Sequence, residues 1–493
     1  MKKALSLILA LMLLAAAFAG CAEGTGGEDT ATGVPTAQVS DTEAGTSDLY
    51  DSNGYLKDSI PEGKFNYNDE EFNVLYWSDR EHEEFVAEAM TGDAVNDAIF
   101  TRNLNTETRM GVKLVFTGTP GNASNNANFT AKVDAAIQSG MHEYDMIGVY
   151  SITAGNLAVK GFLSELGGHD YPDLDKPWWP ASLINDATIH GKLFFASGDI
   201  SANVIYMMYV TFFNKQMIDN RNLESPYDLV KNGKWTIDKM FEMCQGIYED
   251  TDNSGTPTLG DTYGQYAYTL HLDPFLIGSG ITCIDASGDE LAINEEFYGE
   301  KAGDIAKKIS DFFHSNDKAY LITVNDKVHQ YFGSDRSLFW NDRCRNSATF
   351  KNNEISFGVV PNPMFNEDQD AFYTCIGNPF SIYCIPSDAP DVDMSTAVME
   401  CYASETYRNV SPALYEITLK YRYTDDATSS EMFDIIRSSV VFDLGRIFSS
   451  NLGNPYTMFE NSVKEGSNWS TVAASNAKRI WPANLKDING AFE

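Results

Sequence analysis

The chain has 493 residues, and its 70 Asp and Glu against 35 Lys and Arg give a formal charge of −35 at pH 7. Because so acidic a surface repels phosphate backbones, we expect no nucleic-acid partner, whereas neutral or cationic small ligands are compatible with the charge. Hydrophobic residues make up 43% and aromatic residues 12% of the chain, which excludes a disordered protein. At roughly 100–200 residues per domain, the length predicts two or three domains.

The first twenty residues have the composition of an export signal. Lys2 and Lys3 precede an uncharged apolar run over 4–19 that is short for a membrane span. The run ends in FAGC, residues 18–21, and small residues before a cysteine resemble the bacterial lipoprotein signal. We therefore predict cleavage after residue 20 and lipidation of Cys21, as by palmitate. An ordinary secretory signal is the alternative.

Residues 21–63 are predicted to form a flexible acidic tether behind the lipidated cysteine. This segment is rich in Gly, Thr, Ala, Ser and acidic residues and has few apolar side chains to bury. About 40 such residues span roughly 35 Å. We expect an exported protein that is anchored to the outer face of the cytoplasmic membrane, with a folded body that begins near Lys64.

Strands and helices alternate along the predicted body. Predicted strands cover residues 71–77, 112–116, 144–150, 204–213, 336–340, 355–361 and 372–385. Predicted helices cover residues 81–90, 93–110, 129–139, 215–219 and 236–248 and most of the chain after 392. The βαβαβ order at the start predicts a mostly parallel sheet flanked by helices. Because ligands of such sheets bind beyond the carboxyl ends of the strands, Trp77-Ser78-Asp79 and Tyr150-Ser151 form the first candidate site.

Six fragments follow one another in an order that is typical of one protein family. They are WSD at 77–79, DMIGVY at 145–150, FFNK at 212–215, WTID at 235–238, RSLFW at 336–340 and FGVVPNP at 357–363. With the lipoprotein signal, they give a chain that resembles the extracellular solute-binding lipoproteins of carbohydrate-type ABC importers, the family 1 solute-binding proteins. The resemblance covers about residues 64–493.

The resemblance implies an α/β fold of two discontinuous lobes, each a mostly parallel sheet flanked by helices, with hinge strands between them. Lobe 1 would comprise 64–200 with a return segment at about 370–410, and lobe 2 would comprise 201–369 with the helical region 411–493. It also implies a solute, most simply a sugar or oligosaccharide, that is captured between the lobes and passed to ABC permease subunits. We expect a monomer without enzymatic activity.

Aromatic residues near strand ends are the physical reason to expect a sugar. Pyranose rings stack on Trp and Tyr, while Asp, Asn and Arg bind the hydroxyls. The candidate ligand-binding residues are Trp77, Ser78, Asp79, Tyr150, Ser151, Tyr206, Trp340, Asn341, Asp342 and Arg343. Trp178 or Trp179 is a further candidate. Packing in the core is the alternative for each aromatic side chain.

Residues 250–261, DTDNSGTPTLGD, have the spacing of an EF-hand calcium loop. Oxygen ligands would come from Asp250, Asp252, Ser254, Thr258 and Asp261. Asp261 replaces the usual bidentate Glu, and Pro257 stands at the apolar eighth position. A structural Ca²⁺ that braces lobe 2 and a solvated turn are the two interpretations; no other cofactor is expected.

The sequence favours a binding protein over an enzyme. The folded part contains no HExxH, GxSxG or GxxxxGK[ST] pattern, and the seven histidines are scattered. A surface-tethered glycan hydrolase is the alternative from another class, and a binding protein for a non-sugar solute is the alternative within the binding class. The six cysteines after Cys21 form no CxxC pair, so we expect mainly buried free thiols rather than a zinc site.

Overall fold

Two β-sheets organise the chain, which we describe in a computed structural model over residues 49–493, apart from 316, 324–330 and 423–426. The predicted signal, most of the tether and the lipidation site Cys21 lie outside the described residues. Within the described ranges, no helix is both long enough and apolar enough to cross a bilayer.

Thirteen strands are described. They are β1 (Glu70–Trp77), β2 (Val112–Thr119), β3 (Met146–Tyr150), β4 (Tyr209–Asn214), β5 (Tyr263–Tyr268), β6 (Ile284–Asp285), β7 (Ala292–Ile293), β8 (Ala319–Ile322), β9 (Ser337–Arg343), β10 (Phe357–Val360), β11 (Thr374–Cys375), β12 (Ser381–Cys384) and β13 (Val440–Val441).

Eighteen α-helices are described. They are α1 (Ala94–Met110), α2 (Asn126–Ser139), α3 (Ser151–Val159), α4 (Ala181–Ala187), α5 (Ala202–Met207), α6 (Lys215–Asn220), α7 (Pro226–Lys231), α8 (Ile237–Met243), α9 (Asp273–Gly278), α10 (Glu295–Tyr298), α11 (Glu300–Phe313), α12 (Ser347–Asn352), α13 (Val392–Glu405), α14 (Ala427–Ser438), α15 (Leu444–Ile447), α16 (Pro455–Glu465), α17 (Trp469–Ala477) and α18 (Ile480–Gly490). Wider helical turns follow α13 at Thr406–Val410 and Ala413–Arg422.

The first sheet has the strand order β12-β3-β1-β2. Strand β1 pairs in parallel with β2 and β3, and β12 adds an antiparallel edge to β3. Helix α1 connects β1 to β2, and its ends follow local rules. The Asp93 carboxylate accepts from the backbone N–H groups of Val95 and Asn96, and Gly111 closes the helix at φ 66°. The predicted parallel βαβαβ unit is therefore confirmed.

The second sheet has the order β10-β4-β9-β5-β8. Strand β5 pairs in parallel with β8 and β9, whereas β4 runs antiparallel to β9 and β10. Strand β9 continues to Arg343, so the prediction that Asn341 and Asp342 lie beyond its end is wrong. Their neighbours on β4 are Thr211 and Val210, and the Thr211 hydroxyl accepts from the Asn341 amide at 2.8 Å. This partner lies 130 residues away and is invisible in the local pattern.

Two further element predictions are wrong because tertiary contacts override local propensity. The predicted strand 204–213 begins as helix α5, where the backbone N–H of Asn203 donates to buried Glu84 at 3.1 Å. The predicted helix 81–90 is only a helical turn, Glu81–Phe85, because the Phe85 ring is drawn against Tyr76 in the core, with the ring centroids 4.9 Å apart.

The folded body begins before Lys64. Residues from Ser52 onward belong to one compact unit. The Asp58 side chain is fully buried and accepts two hydrogen bonds of 2.7 Å from the guanidinium of Arg109. A single buried carboxylate in a polar segment leaves no compositional signal, which is why the sequence places the start of the body too late.

The hydrophobic core follows the two sheets. One cluster surrounds the first sheet and includes Phe448 and Phe492, while another beside the second sheet includes Trp469 and Trp481. The C-terminal helices therefore pack against both. The chain leaves the first sheet between β3 and β4 and returns between β10 and β12. The lobe boundaries given above stay a prediction.

Candidate functional site

A cavity of about 320 Å³ lies where β3 of the first sheet and β5 and β9 of the second sheet end. This is the edge at which ligands of α/β sheets bind, and the volume is that of a small-molecule site. It is lined by Ala123, Tyr150, Tyr209, Tyr268, Leu270, His271, Asp273, Asp342, Arg343, Asn378, Pro379, Arg446, Ser449, Tyr456, Thr457 and Glu460. Both sheets, the linking segment and the C-terminal helices thus contribute.

Aromatic rings form much of the wall. The His271 ring lies between Tyr209 and Tyr268, with centroid distances of 5.4 and 5.5 Å and nearly perpendicular planes. On the side of the first sheet, Tyr150 meets the edge of Trp77 at 5.4 Å. Trp77 stays buried behind Tyr150 and donates its indole N–H to the Ser381 hydroxyl at 2.8 Å. Tyrosines, rather than tryptophans, line this cavity.

Arg343 and Asp342 form the first of two ion pairs in the wall. The Arg343 Nε donates to Asp342 at 3.3 Å, and Asp342 also accepts from the Trp340 indole at 3.0 Å and the Asn346 amide at 2.6 Å. Burial opposes the ionisation of Asp342, but the neighbouring His271 and Arg343 and the hydrogen bonds from Trp340 and the Arg343 backbone outweigh it, and the pKa of Asp342 lies below its ordinary value. Asp342 is therefore an anion at neutral pH, and its carboxylate holds the Arg343 guanidinium in place.

Arg446 and Asp273 form the second pair, with Glu460 beside them. The Arg446 Nη1 donates to Asp273, and both side chains are less than a tenth exposed. Burial, with the adjacent negative charge of Asp273, raises the pKa of Glu460 to about 10. Glu460 therefore keeps its proton at neutral pH and acts as a neutral carboxylic acid.

His271 is also neutral. Its Nδ1 lies 3.0 Å from the Asn341 carbonyl oxygen, which can only accept, so the proton sits on Nδ1 and Nε2 is an acceptor. Burial lowers the pKa of His271 to about 4. At neutral pH, the two arginines of the wall balance the two aspartates, and the charged groups that line the cavity sum to zero.

Three of the ten sequence-derived ligand candidates line this cavity: Tyr150, Asp342 and Arg343. The other seven candidates do not line the cavity and lie around it or in the core: Trp77, Ser78, Asp79, Ser151, Tyr206, Trp340 and Asn341. The Asp79 carboxylate accepts from the backbone of Gly121 at 2.8 Å, and Ser151 donates to the Asn378 carbonyl at 2.7 Å. Both side chains hold loops in place beside the cavity.

The remaining tryptophans pack inside. Trp340 has no exposed surface. The indoles of Trp178 and Trp179 both donate to Glu400, at 3.4 and 2.9 Å, and burial raises the pKa of that carboxyl to about 8. All three tryptophans therefore pack in the core, which is the alternative to ligand binding given above for each aromatic side chain.

Sequence reasoning missed most of the cavity. Tyr209, His271, Asp273, Arg446 and Glu460 were not among the candidates. Two of them carried a usable signal, because Asp273 and Arg446 interrupt apolar runs, HLDPFLIG and DLGRIF. Charged residues in such runs are buried only when they are paired.

The Asp250–Asp261 loop brings its three carboxylates together. One oxygen each from Asp250, Asp252 and Asp261 lies within 4.8 Å of the others. The loop is held by hydrogen bonds within itself: Asp250 accepts from the backbone N–H of Gly255 at 2.9 Å, and the Thr258 hydroxyl donates to Asp252 at 2.6 Å. Hard oxygen atoms at this spacing are suited to Ca²⁺.

All six cysteines of the described residues are buried and unpaired, as predicted. Burial raises the pKa of each thiol, as at Cys375 and Cys401, where it reaches about 12. They are inert packing residues at neutral pH.

No family model and no curated protein matches the chain. Among solved structures, the chain is similar to the cyclic α-maltosyl-1,6-maltose binding protein of Arthrobacter globiformis, with a TM-score of 0.56 at 15% identity over 85% of this chain and 99% of that one. The GacH receptor of Streptomyces glaucescens, solved unliganded and with acarbose, is similar with a TM-score of 0.55 at 15% identity over 85% of this chain and 99% of that one. An ABC substrate-binding protein of Listeria monocytogenes, in complex with cycloalternan, is similar with a TM-score of 0.55 at 12% identity over 84% of this chain and 98% of that one. The chain therefore has the two-lobed α/β fold of these binding proteins, and the predicted fold class is confirmed.

Proposed function

We propose that the protein is the substrate-binding component of an ABC importer, which captures a sugar or oligosaccharide between its two lobes. The cavity at the ends of β3, β5 and β9 carries this proposal. Its tyrosine rings offer faces and edges to the apolar side of a pyranose, and its arginines, neutral histidine and neutral carboxylic acid offer hydrogen-bonding groups to hydroxyls. The related structures support the ligand class, since two of them hold acarbose and cycloalternan.

Capture would proceed by closure of the two lobes around the ligand. Tyr150 approaches the cavity from the first sheet and Arg343 from the second, so a sugar that contacts both would stabilise the closed state over the open one. The chain segments that link the sheets, between β3 and β4 and between β10 and β12, would act as the hinge. We assign lobe 1 to 64–200 with 370–410, extended at its start by the packed residues from Ser52 onward, and lobe 2 to 201–369 with 411–493.

The acids of the cavity support binding over glycoside hydrolysis. Hydrolases place two carboxyl groups on opposite sides of the scissile bond, about 5–9.5 Å apart. Here Glu460 lies beside the negative charge of Asp273, and Asp342 is engaged by Trp340, Arg343 and Asn346. Each of these carboxyl groups is thus held by neighbouring side chains of the wall, which favours a role in positioning ligand groups.

Export and anchoring complete the proposal. The sequence of residues 1–21 supports a lipoprotein signal, and lipidation of Cys21 would anchor a monomeric body to the outer face of the cytoplasmic membrane beside its permease. We also propose that the loop with Asp250, Asp252, Ser254, Thr258 and Asp261 binds a structural Ca²⁺, supported by the convergence of three carboxylates within 4.8 Å.

A thermal-shift screen against mono- and oligosaccharides, followed by chromatography of the sugar, tests the proposed function. We expect the melting temperature to rise with at least one saccharide, and that saccharide to be recovered intact. Cleavage of the sugar would contradict the proposal in favour of a hydrolase, and stabilisation by peptides or polyamines alone would contradict the sugar assignment.

A further inference from the structure

Four tyrosines line the cavity, and three of them have their rings packed against protein. Tyr150, Tyr209 and Tyr456 are each only 4% exposed. Tyr150 and Tyr209 each meet another aromatic ring in a T-shaped arrangement, and the Arg446 guanidinium lies over the Tyr456 ring at 5.1 Å. These three rings form the wall but have little surface left for a ligand to cover.

Tyr268 differs from the other three. It is the last residue of β5, and its side chain is only partly buried. Among the described residues, its ring meets one other aromatic ring, that of His271, at 5.5 Å and with the planes nearly perpendicular. A single perpendicular neighbour occupies one side of a ring at most. Because Tyr268 also keeps exposed surface, it is the cavity tyrosine that can receive a sugar ring on its face.

Leu270 extends the apolar surface of Tyr268. It lies two residues after the end of β5, lines the same cavity and is 48% exposed, which is unusual for a large apolar side chain. Tyr268 and Leu270 are together called the platform. A pyranose that lays its C–H face on the platform removes both apolar surfaces from water, and this contributes favourably to binding.

The remaining aromatic residues provide no second platform of this kind in the cavity. All seven tryptophans of the chain are at most 2% exposed. The cavity volume of about 320 Å³ is also near the lower end of the roughly 300–1,000 Å³ of small-molecule sites. Each further sugar ring would need an apolar surface of its own to replace its hydration. One platform in a small cavity therefore matches a ligand of one or two rings.

We infer that the cavity binds a short saccharide of one or two rings, and that one of these rings stacks on Tyr268 beside Leu270. This inference rests on the proposed function and narrows it, because it selects the shorter ligand from the sugar and oligosaccharide named there. Tyr268 is then a residue that determines specificity, since it favours sugars with a continuous apolar face.

Calorimetric titration with saccharides of increasing length tests the size of the ligand. The probes are D-glucose, maltose and maltotetraose, with the matching members of one, two and four rings from the mannose, galactose and xylose series. In the series that binds, we expect full affinity with one or two rings, so that the tetrasaccharide gains less than about tenfold over the disaccharide. A larger gain would overturn the inference and leave the proposed function standing.

Two variants of Tyr268 test the platform. Tyr268→Leu keeps an apolar side chain but removes the aromatic face, and it should weaken binding of the preferred saccharide about tenfold. Tyr268→Phe keeps the face and should stay within about threefold of the unmodified protein. Tyr298→Leu is the control, since Tyr298 is a partly exposed tyrosine at the end of α10 that does not line the cavity. It should leave the affinity unchanged.

The melting temperature of each variant shows whether it is folded. Unchanged affinity in folded Tyr268→Leu would overturn the inference, again without affecting the proposed function. The length series uses the unmodified protein, so it tests the inference even where a variant fails to fold. Failure of every saccharide to bind the unmodified protein would overturn both the inference and the proposed function.

Discussion

The cavity and the Asp250–Asp261 loop are two acidic regions that differ in how their negative charge is balanced. In the cavity, Asp273 and Asp342 are buried and each forms an ion pair with an arginine, while the raised pKa of Glu460 keeps that carboxyl protonated and neutral. In the loop, Asp250 and Asp252 are exposed and accept hydrogen bonds from backbone N–H groups and hydroxyls, which carry no full charge. The cavity is thus neutralised from within, whereas the loop keeps a negative charge that a cation can balance.

The largest effect should come from breaking a matched pair in the cavity. Arg446→Leu leaves Asp273 buried without its cation, and we expect the free energy of unfolding at pH 7 to fall by about 3–5 kcal/mol in urea denaturation. The double variant Arg446→Leu with Asp273→Asn removes both charges and should lose less. If Arg446→Leu were as stable as the unmodified protein, Arg446 would not be needed to neutralise the buried charge of Asp273.

The proton on Glu460 gives the second effect. Its folded pKa lies far above the unfolded value, so between about pH 5.5 and 8 the folded state holds a proton that the unfolded state has released. Stability from this group is therefore present at low pH and lost as the pH rises, by about 1.4 kcal/mol per pH unit. Glu460→Gln should remove this slope when unfolding free energies are compared across that range. Parallel pH profiles for the two proteins would contradict a protonated Glu460.

Calcium should give the third effect, and only at the loop. At a calcium concentration 100 times the dissociation constant, binding adds about 2.7 kcal/mol to the free energy of unfolding. We expect a chelator to lower the melting temperature of the unmodified protein but not of Asp250→Asn. Asp311→Asn, which changes an exposed acid on α11, is the control and should keep the calcium response. An unchanged melting temperature on calcium removal would reduce the loop to a solvated turn.

Local signals explain what could be predicted from the sequence. Helix α1 was predictable because Asp93 and Gly111 mark its ends within the segment itself, and the parallel unit β3-β1-β2 follows from the spacing of such elements. The calcium loop was likewise visible, because its oxygens lie within twelve consecutive residues.

The cavity could be predicted only in part, because its residues converge from distant parts of the chain. Tyr150 was found by the rule that ligands lie at strand ends. Asp342 and Arg343 were found through the same idea, although Asp342 lies inside β9. Tyr209 required knowledge that β4 runs antiparallel to β9, which places its first residue opposite Arg343. Arg446 and Glu460 come from C-terminal helices that no strand rule could place beside a sheet.

The most direct test of the central claim is calorimetric titration of the intact protein with mono- and oligosaccharides, with the sugar analysed afterwards. The account predicts saturable binding of one saccharide per chain, a loss of affinity in Tyr268→Leu but not in Tyr298→Leu, and recovery of the sugar uncleaved. Absence of binding by every saccharide, or release of cleaved sugar, would contradict it.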